Sequence, residues 1–262
     1  MLDSSYVTDI FKVLGTLDIS MNKQYGREIL NTFKERVRTN MLRECDLNEI
    51  SDGKKYMLED MVKADCGGCH GCSDCCHAMG DSIVLDPLDF YRISNRLELR
   101  FEALLEDKVE LNIVDGVILP NLKMSDSIDE ACVFLDPDGR CSIHSDRPGI
   151  CRIFPLGRLY EERSFSYILQ VHECKKAKRA KIKVSKWIDT SDIKRNQEFV
   201  SDWHFFLKDV QAELLKSGED AYIKKITMQL LQCFYIEPYM QDVDFYQQFY
   251  KRLEQMKKMI LG

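Results

Sequence analysis

Five cysteines crowd into eleven residues of this chain, in the run CGGCHGCSDCC that starts at Cys66 and is followed by His77. They are Cys66, Cys69, Cys72, Cys75 and Cys76. Four more, Cys132, Cys141, Cys151 and Cys174, follow at wider intervals, so nine of the eleven cysteines lie between positions 66 and 174. Thiolates are soft ligands, and close spacing lets one loop wrap a zinc ion or an iron–sulfur cluster. All nine are candidate metal ligands. The pattern says "metal" clearly and says much less about what the metal does.

The rest of the composition narrows the setting. The chain has 262 residues, 45% of them hydrophobic, enough for one large domain or a small domain with extensions. A net charge of −6 weighs against a dedicated nucleic-acid binder. No apolar run is long enough to span a bilayer, and the N-terminal MLDSSYVTDIFKVLG lacks the layout of a signal peptide. A cytoplasmic location without membrane contact is therefore expected, where thiols stay reduced and open to metals. An odd cysteine count also fits poorly with a full disulfide framework.

Periodicity divides the chain into three parts and predicts an α+β fold, with a small mixed cysteine-rich core flanked by N- and C-terminal α-helices. Residues 1–64 read as helical, with Leu30, Phe33, Val37 and Met41 on one stripe and Cys45 continuing it as a core thiol. Residues 65–190 form the metal-binding part. There DSIVLD is a strand candidate, and Asp86-Pro87 opens a helix with Asp86 as N-cap. VELNIV, Asp115-Gly116 and VIL predict a hairpin. CVFL, DPDG and RCSIH predict a second, in which a two- or four-residue connection would set Cys132 and Cys141 on one face. Residues 191–262 are helical again. Val200, Trp203, Leu207, Val210 and Leu214 keep helical spacing, as do Ile223, Ile226 and Leu230, and then Phe249, Leu253, Met256 and Ile260. Cys233 sits on the second stripe and reads as core. Ser217-Gly218 and Glu237-Pro238 mark the breaks. No internal repeat is present.

Two registers overlap within the cluster. Cys66, Cys69, Cys72 and Cys76 match a bacterial ferredoxin run, but His77 stands where that run has proline and no second copy exists. Cys69, Cys72 and the adjacent Cys75-Cys76 form the other. Adjacent cysteines are expected to diverge, so this pair suits two centres, or one ligand and one supporting thiol. Gly67, Gly68 and Gly71 supply the turns that a chelating loop needs.

Among other donors, His77 and His144 lie inside the motif, and His144 reads as hydrogen-bonded support for a ligand. His70 reads as an exposed loop residue, His172 is ambiguous, and His204 reads as structural. Arg147 and Arg152 flank Cys151 and would lower nearby thiol pKa values, hold an anion or form ion pairs. Pro148 and Pro155 would stiffen the turn that bears Cys151. The basic run KKAKRAKIKVSK, residues 175–186, reads as a solvated face.

The later motif, CSIHSDRPGICRIFP from Cys141 to Pro155, completes a pattern with Cys69–Cys76 and CVFLDPDGRC. In combination these resemble the YkgJ-type cysteine-cluster family, whose domain chelates zinc or iron, over about residues 66–175. The resemblance implies a ligand set of Cys69, Cys72, Cys75, Cys76, Cys132, Cys141, Cys151 and Cys174, with Cys66 an extra thiol. Eight thiols exceed one tetrahedral zinc and suit a [4Fe-4S] cluster with spare ligands, or two centres. The same broad family is similar to flagellin lysine N-methylases, which implies a possible S-adenosylmethionine-dependent methyl transfer to protein lysines. This chain departs from them in its compact cysteine spacing, and it has no GxGxxG loop; the Cys-x3-Cys-x2-Cys spacing of radical enzymes fails at Met79.

The expected function is therefore binding of an iron–sulfur cluster or zinc through the cysteine set. Two classes follow from it. One is a cluster-dependent transferase, methyltransferase-like. The other is a non-catalytic zinc-stabilised module whose C-terminal helices meet a protein partner.

Overall fold

The structure, a computed structural model, describes residues 47–67, 72–125, 128–176 and 178–262. The N-terminal stripe through Leu30 to Met41, with Cys45, lies outside the described residues, as do Cys69 and His70. The described part is mixed α and β. It begins with a helical turn α1 (Leu47–Ile50) and strand β1 (Met61–Asp65). Helices α2 (Pro87–Leu97) and α3 (Phe101–Asp107) precede strands β2 (Val109–Val114) and β3 (Val117–Leu122). Helix α4 (Gly149–Ile153) leads into β4 (Leu156–Glu161) and β5 (Ser164–Leu169). Strand β6 (Ala180–Lys183), helix α5 (Val184–Ile188) and the long helices α6 (Ile193–Ser217), α7 (Asp220–Leu231) and α8 (Phe245–Ile260) complete it.

The strands form three separate antiparallel pairs, β1–β6, β2–β3 and β4–β5. The β2–β3 hairpin is the one the sequence predicts. Asp115 and Gly116 both take positive φ, 49° and 87°, as a two-residue turn matched to strand twist requires. Asp86 caps α2 as expected, accepting from Asp89 N at 2.8 Å, with Pro87 at the first helical position.

Three expectations change. DSIVLD is not a strand. It touches β3 at the bridge Val84–Asn121, through Leu85 N–Pro120 O and Leu122 N–Ile83 O at 2.8 and 3.0 Å, and through Asn121 Nδ2 donating to Asp81 O. Pro120 has no N–H to continue the ladder, and Asp86 already starts α2. The second hairpin shrinks to one bridge, Leu135–Cys141. Asp136 Oδ1 accepts from Asp138 N and Arg140 N at 3.0 and 2.7 Å, which satisfies the loop backbone locally in place of a ladder. The stretch before the cluster is also not continuously helical. Tyr56 exchanges backbone bonds with Tyr167 at 2.8 and 2.9 Å, and β1 pairs with β6. That pairing recruits the basic run, in which Lys183 meets Glu59 at 2.5 Å.

The C-terminal helices bury the stripes read from the sequence. Trp203, Val210, Leu214, Ile226, Leu230, Phe249, Leu253, Met256 and Ile260 are buried. Phe199 meets Phe249 at 4.6 Å between ring centroids and Trp203 meets Phe234 at 4.8 Å, both edge-on. Each such pair adds about 0.5–1.5 kcal/mol to its area burial. A π-helical turn, Gln232–Ile236, follows α7. From it Tyr235 donates to Leu85 O at 2.9 Å and packs edge-on against Phe90 of α2. This anchors the helical part on Leu85 and α2, which lie between the first cysteine loop and the segments bearing Cys132, Cys141 and Cys151. Cys233, on the same turn, packs against the core, and burial pushes its thiol up to about 11. Among the described residues no helix is long and apolar enough to cross a membrane.

His204 stacks flat on Tyr160 at 3.5 Å, and burial depresses it to about 4. A histidine depressed in the folded state contributes stability above its unfolded pKa of 6.5 and loses it as pH falls toward 4. Denaturant unfolding should therefore weaken more steeply between these pH values in the wild type than in His204→Phe. Parallel pH profiles for the two proteins would contradict this.

Candidate metal centre

The cysteine-bearing segments meet through backbone pairing. Residues 74–76 form a 3-10 turn closed by Cys76 N donating to Ser73 O at 2.7 Å. The chain then runs antiparallel to residues 130–132. Cys132 N donates to Cys76 O at 2.7 Å, Ala78 N to Glu130 O at 3.1 Å, and His77 bridges Ala131. Cys76 and Cys132 are thus neighbours by ladder register. A turn follows, with Leu135 N on Cys132 O at 2.9 Å, and Cys141 comes back opposite Leu135. The loop therefore returns Cys141 beside Cys132 without the strands predicted for it.

Cys151 arrives on α4, which is held from three sides. Gly149 N donates to Asp89 Oδ1 at 2.7 Å, and Asp89 is buried at the N-terminal turn of α2. Arg152 is buried and donates to the carbonyls of Ser145 and Asp189. Trp187 Nε1 donates to Ile153 O and Phe154 O, each at 3.1 Å, beside the cis Phe154–Pro155 peptide. A five-residue helix with no side-chain cap depends on such outside partners.

Cys75, Cys76, Cys132, Cys141 and Cys151 lie within electrostatic reach of one another. Cys132, Cys141 and Cys151 also pack against the hydrophobic core. Adjacent Cys75 and Cys76 do not diverge as the sequence reading expects. Their thiols hydrogen-bond, because a helical turn, unlike a strand, does not send successive side chains to opposite faces. The Cys76 thiol donates to Cys75 and, with Arg147 nearby, holds Cys75 down to about 7, although burial opposes it. Cys76 is pushed up by the same bond, by burial and by the surrounding thiols. Burial raises Cys132, Cys141 and Cys151, and the neighbouring thiols add to it.

The remaining candidates fall elsewhere. Cys66, Cys72 and Cys174 line a separate small cleft that reaches Cys75. His77 places its ring nitrogens on Ser73 Oγ and Asp129 O, each at 3.3 Å. His144 accepts from Arg147 rather than supporting a thiolate, and burial followed by Arg147 depresses it. His172 is exposed. Arg147 stands beside Cys75 and Cys141 as the expected positive charge, while Arg152 braces loops instead. Sequence reading missed Asp89. Its signal was present in the Asp86-x-x-Asp89 spacing of a capping box, but its bond to Gly149 spans 60 residues.

Among the described residues, no three His, Cys, Asp or Glu side chains converge closely enough to hold a metal ion. The nine cysteines there form no disulfide. The donor chemistry is that of a thiophilic group: Cys75, Cys132, Cys141 and Cys151 are half-buried and feel one another's charge, with Arg147 beside Cys75 and Cys141 to offset thiolate charge.

Residues 68–191 match the family model CxxCxxCC, described as a putative zinc- or iron-chelating domain. This is the cysteine-cluster family that the motif resembles. No curated protein and no solved structure matches the chain. The matched segment contains the ladder, the turn and α4, and its description supports metal binding in general.

Two measurements test this geometry. In chelator-treated protein near neutral pH, iodoacetamide should label Cys75 ahead of Cys132, Cys141 and Cys151, because only its thiol is held low. Peptide mapping that finds Cys151 labelled first would count against it. Asp89→Ala removes a helix cap and orphans Gly149 N, and should cost about 2–3 kcal/mol in denaturant unfolding. Asp89→Asn keeps an acceptor oxygen and should cost clearly less.

Proposed function

We propose that the five-thiol pocket binds an iron–sulfur cluster of the [4Fe-4S] type, held by four of Cys75, Cys76, Cys132, Cys141 and Cys151. The observation that carries this reading is that Cys75, Cys76, Cys132, Cys141 and Cys151, from separate segments of the matched region, come near enough to interact electrostatically. Four thiolates complete either a cluster or a tetrahedral zinc, so ligand number alone does not choose. Charge and burial favour the cluster. A cluster spreads its charge over several atoms, which suits a site with apolar walls and a single adjacent arginine. Zinc remains the second reading, supported by the same donors and by the family description.

When bound, the group would supply either electron transfer or a structural tie between the loops. The chain's own residues do the rest. Arg147 offsets negative charge beside Cys75 and Cys141, and Asp89, Arg152 and Trp187 fix the helix that presents Cys151. Protonated thiols must release their protons on binding, so affinity should rise with pH.

Protein purified without oxygen and without a metal-binding tag should contain iron and acid-labile sulfide and show broad visible absorption. Cys132→Ser and Cys151→Ser should each lose most of that absorption. A colourless preparation with zinc bound would overturn the cluster reading and keep the metal-binding one.

A further inference from the structure

The strand pair β1–β6 has an inner and an outer face of opposite character. Its inner face is apolar: Val62 and Ala64 are buried, and Ile182, opposite Val62, packs against the core. Alternation turns the remaining side chains outward. Met61 is 52% exposed, Lys63 and Lys181 are exposed, and Lys183 stands opposite Met61. Lys178, just before β6, and Lys186, just after it, are exposed as well. Among the described residues β6 pairs with β1 alone, so its other edge carries no strand.

An open edge presents backbone N–H and C=O groups ready to pair with another extended chain. Lysines along it repel a second copy of the same edge and leave an acidic strand as the one that fits. The surroundings already show that preference. Lys183 meets Glu59 at 2.5 Å, and Lys175, ahead of β6, meets Asp74 at 3.5 Å. Among the described residues Lys63, Lys178, Lys181 and Lys186 form no such ion pair. Lys181 and Lys183 are two apart on one strand, roughly 7 Å. A strand laid beside β6 sets every second side chain next to them, and the side chains between face the core beside Ile182. A nucleic acid fits this surface less well. Neither strand carries an aromatic side chain on which a base could stack, and the net charge of −6 opposes a long polyanion. A short acidic peptide meets only the local lysines.

We propose that the open edge of β6, with Lys178, Lys181 and Lys183 along it, docks an extended acidic segment of a partner protein as an added strand. Carboxylates at alternate positions of that segment meet the lysines, and apolar residues between them extend the inner face. Lys63 adds positive charge from β1. None of these residues is a thiol, so docking does not depend on which metal the cysteines hold.

The test is fluorescence anisotropy of the full chain, as purified, with a labelled peptide of alternating glutamate and valine. Binding in the micromolar range is expected, falling with added salt. The variant Lys178→Glu/Lys181→Glu should weaken it about tenfold. The same peptide N-methylated throughout its backbone keeps its charge and cannot pair as a strand, and it should bind several-fold more weakly. Circular dichroism checks that the variant folds; if it does not, Lys178→Gln/Lys181→Gln replaces it. No binding to the wild type, or equal binding by the folded variant, would overturn the proposal. So would equal affinity for the N-methylated peptide, which would mean attraction of charge without strand pairing. Tighter binding of a single-stranded oligonucleotide of the same length would also overturn it and make nucleic acid the partner.

Discussion

The buried carboxylate of Asp89 carries more of this architecture than any other group. It completes the cap of α2 by accepting from Asp86 N, and it takes Gly149 N at 2.7 Å from a helix far along the chain. Those two bonds join the first helix after the cysteine loop to the helix that presents Cys151. Burial holds its pKa up, to about 8, with Asp86 adding to the effect, while Gly149 N and Arg92 pull the other way. Held that high, the group is largely a neutral carboxyl near neutral pH, and its two oxygens still accept the bonds from Asp86 N and Gly149 N.

The helical part serves the same end from behind. Its aromatic core, with Phe199, Phe206, Phe234 and Phe249 fully buried, continues onto Phe90 and Tyr91 of α2. Tyr235 ties it to Leu85, one residue before the Asp86 cap. Around the thiols themselves there is little regular structure. Three two-stranded pairs and single bridges replace a continuous sheet. Loops that must converge their side chains on one point cannot also run long ladders, so side-chain acceptors such as Asp136 and Asp89 satisfy the backbone there. The thiol pocket is therefore a loop site seated on a helical platform.

The helical stripes, the Asp115-Gly116 hairpin and the Asp86 cap were legible in the sequence, because each is set by neighbours within one turn or one hairpin. The cysteine cluster was legible as a family motif, because thiols at that spacing have few other uses. Their partition was not. Nothing in the spacing separates Cys72 from Cys75, yet both line the small cleft and Cys75 also hydrogen-bonds Cys76. The Cys75–Cys76 contact was misjudged because its outcome depends on the 3-10 turn, and the DSIVLD strand because Pro120 stands across from it.

The sequence by itself determined the chemistry: soft donors in a chain with an apolar share large enough for a core. Tertiary structure decided which thiols meet. The bond from Cys132 N to Cys76 O, the reach of Asp89 to Gly149 and the pairing of β1 with β6 each join residues far apart along the chain. Such contacts depend on how loops close around the whole core, and no local pattern of residue types encodes that closure.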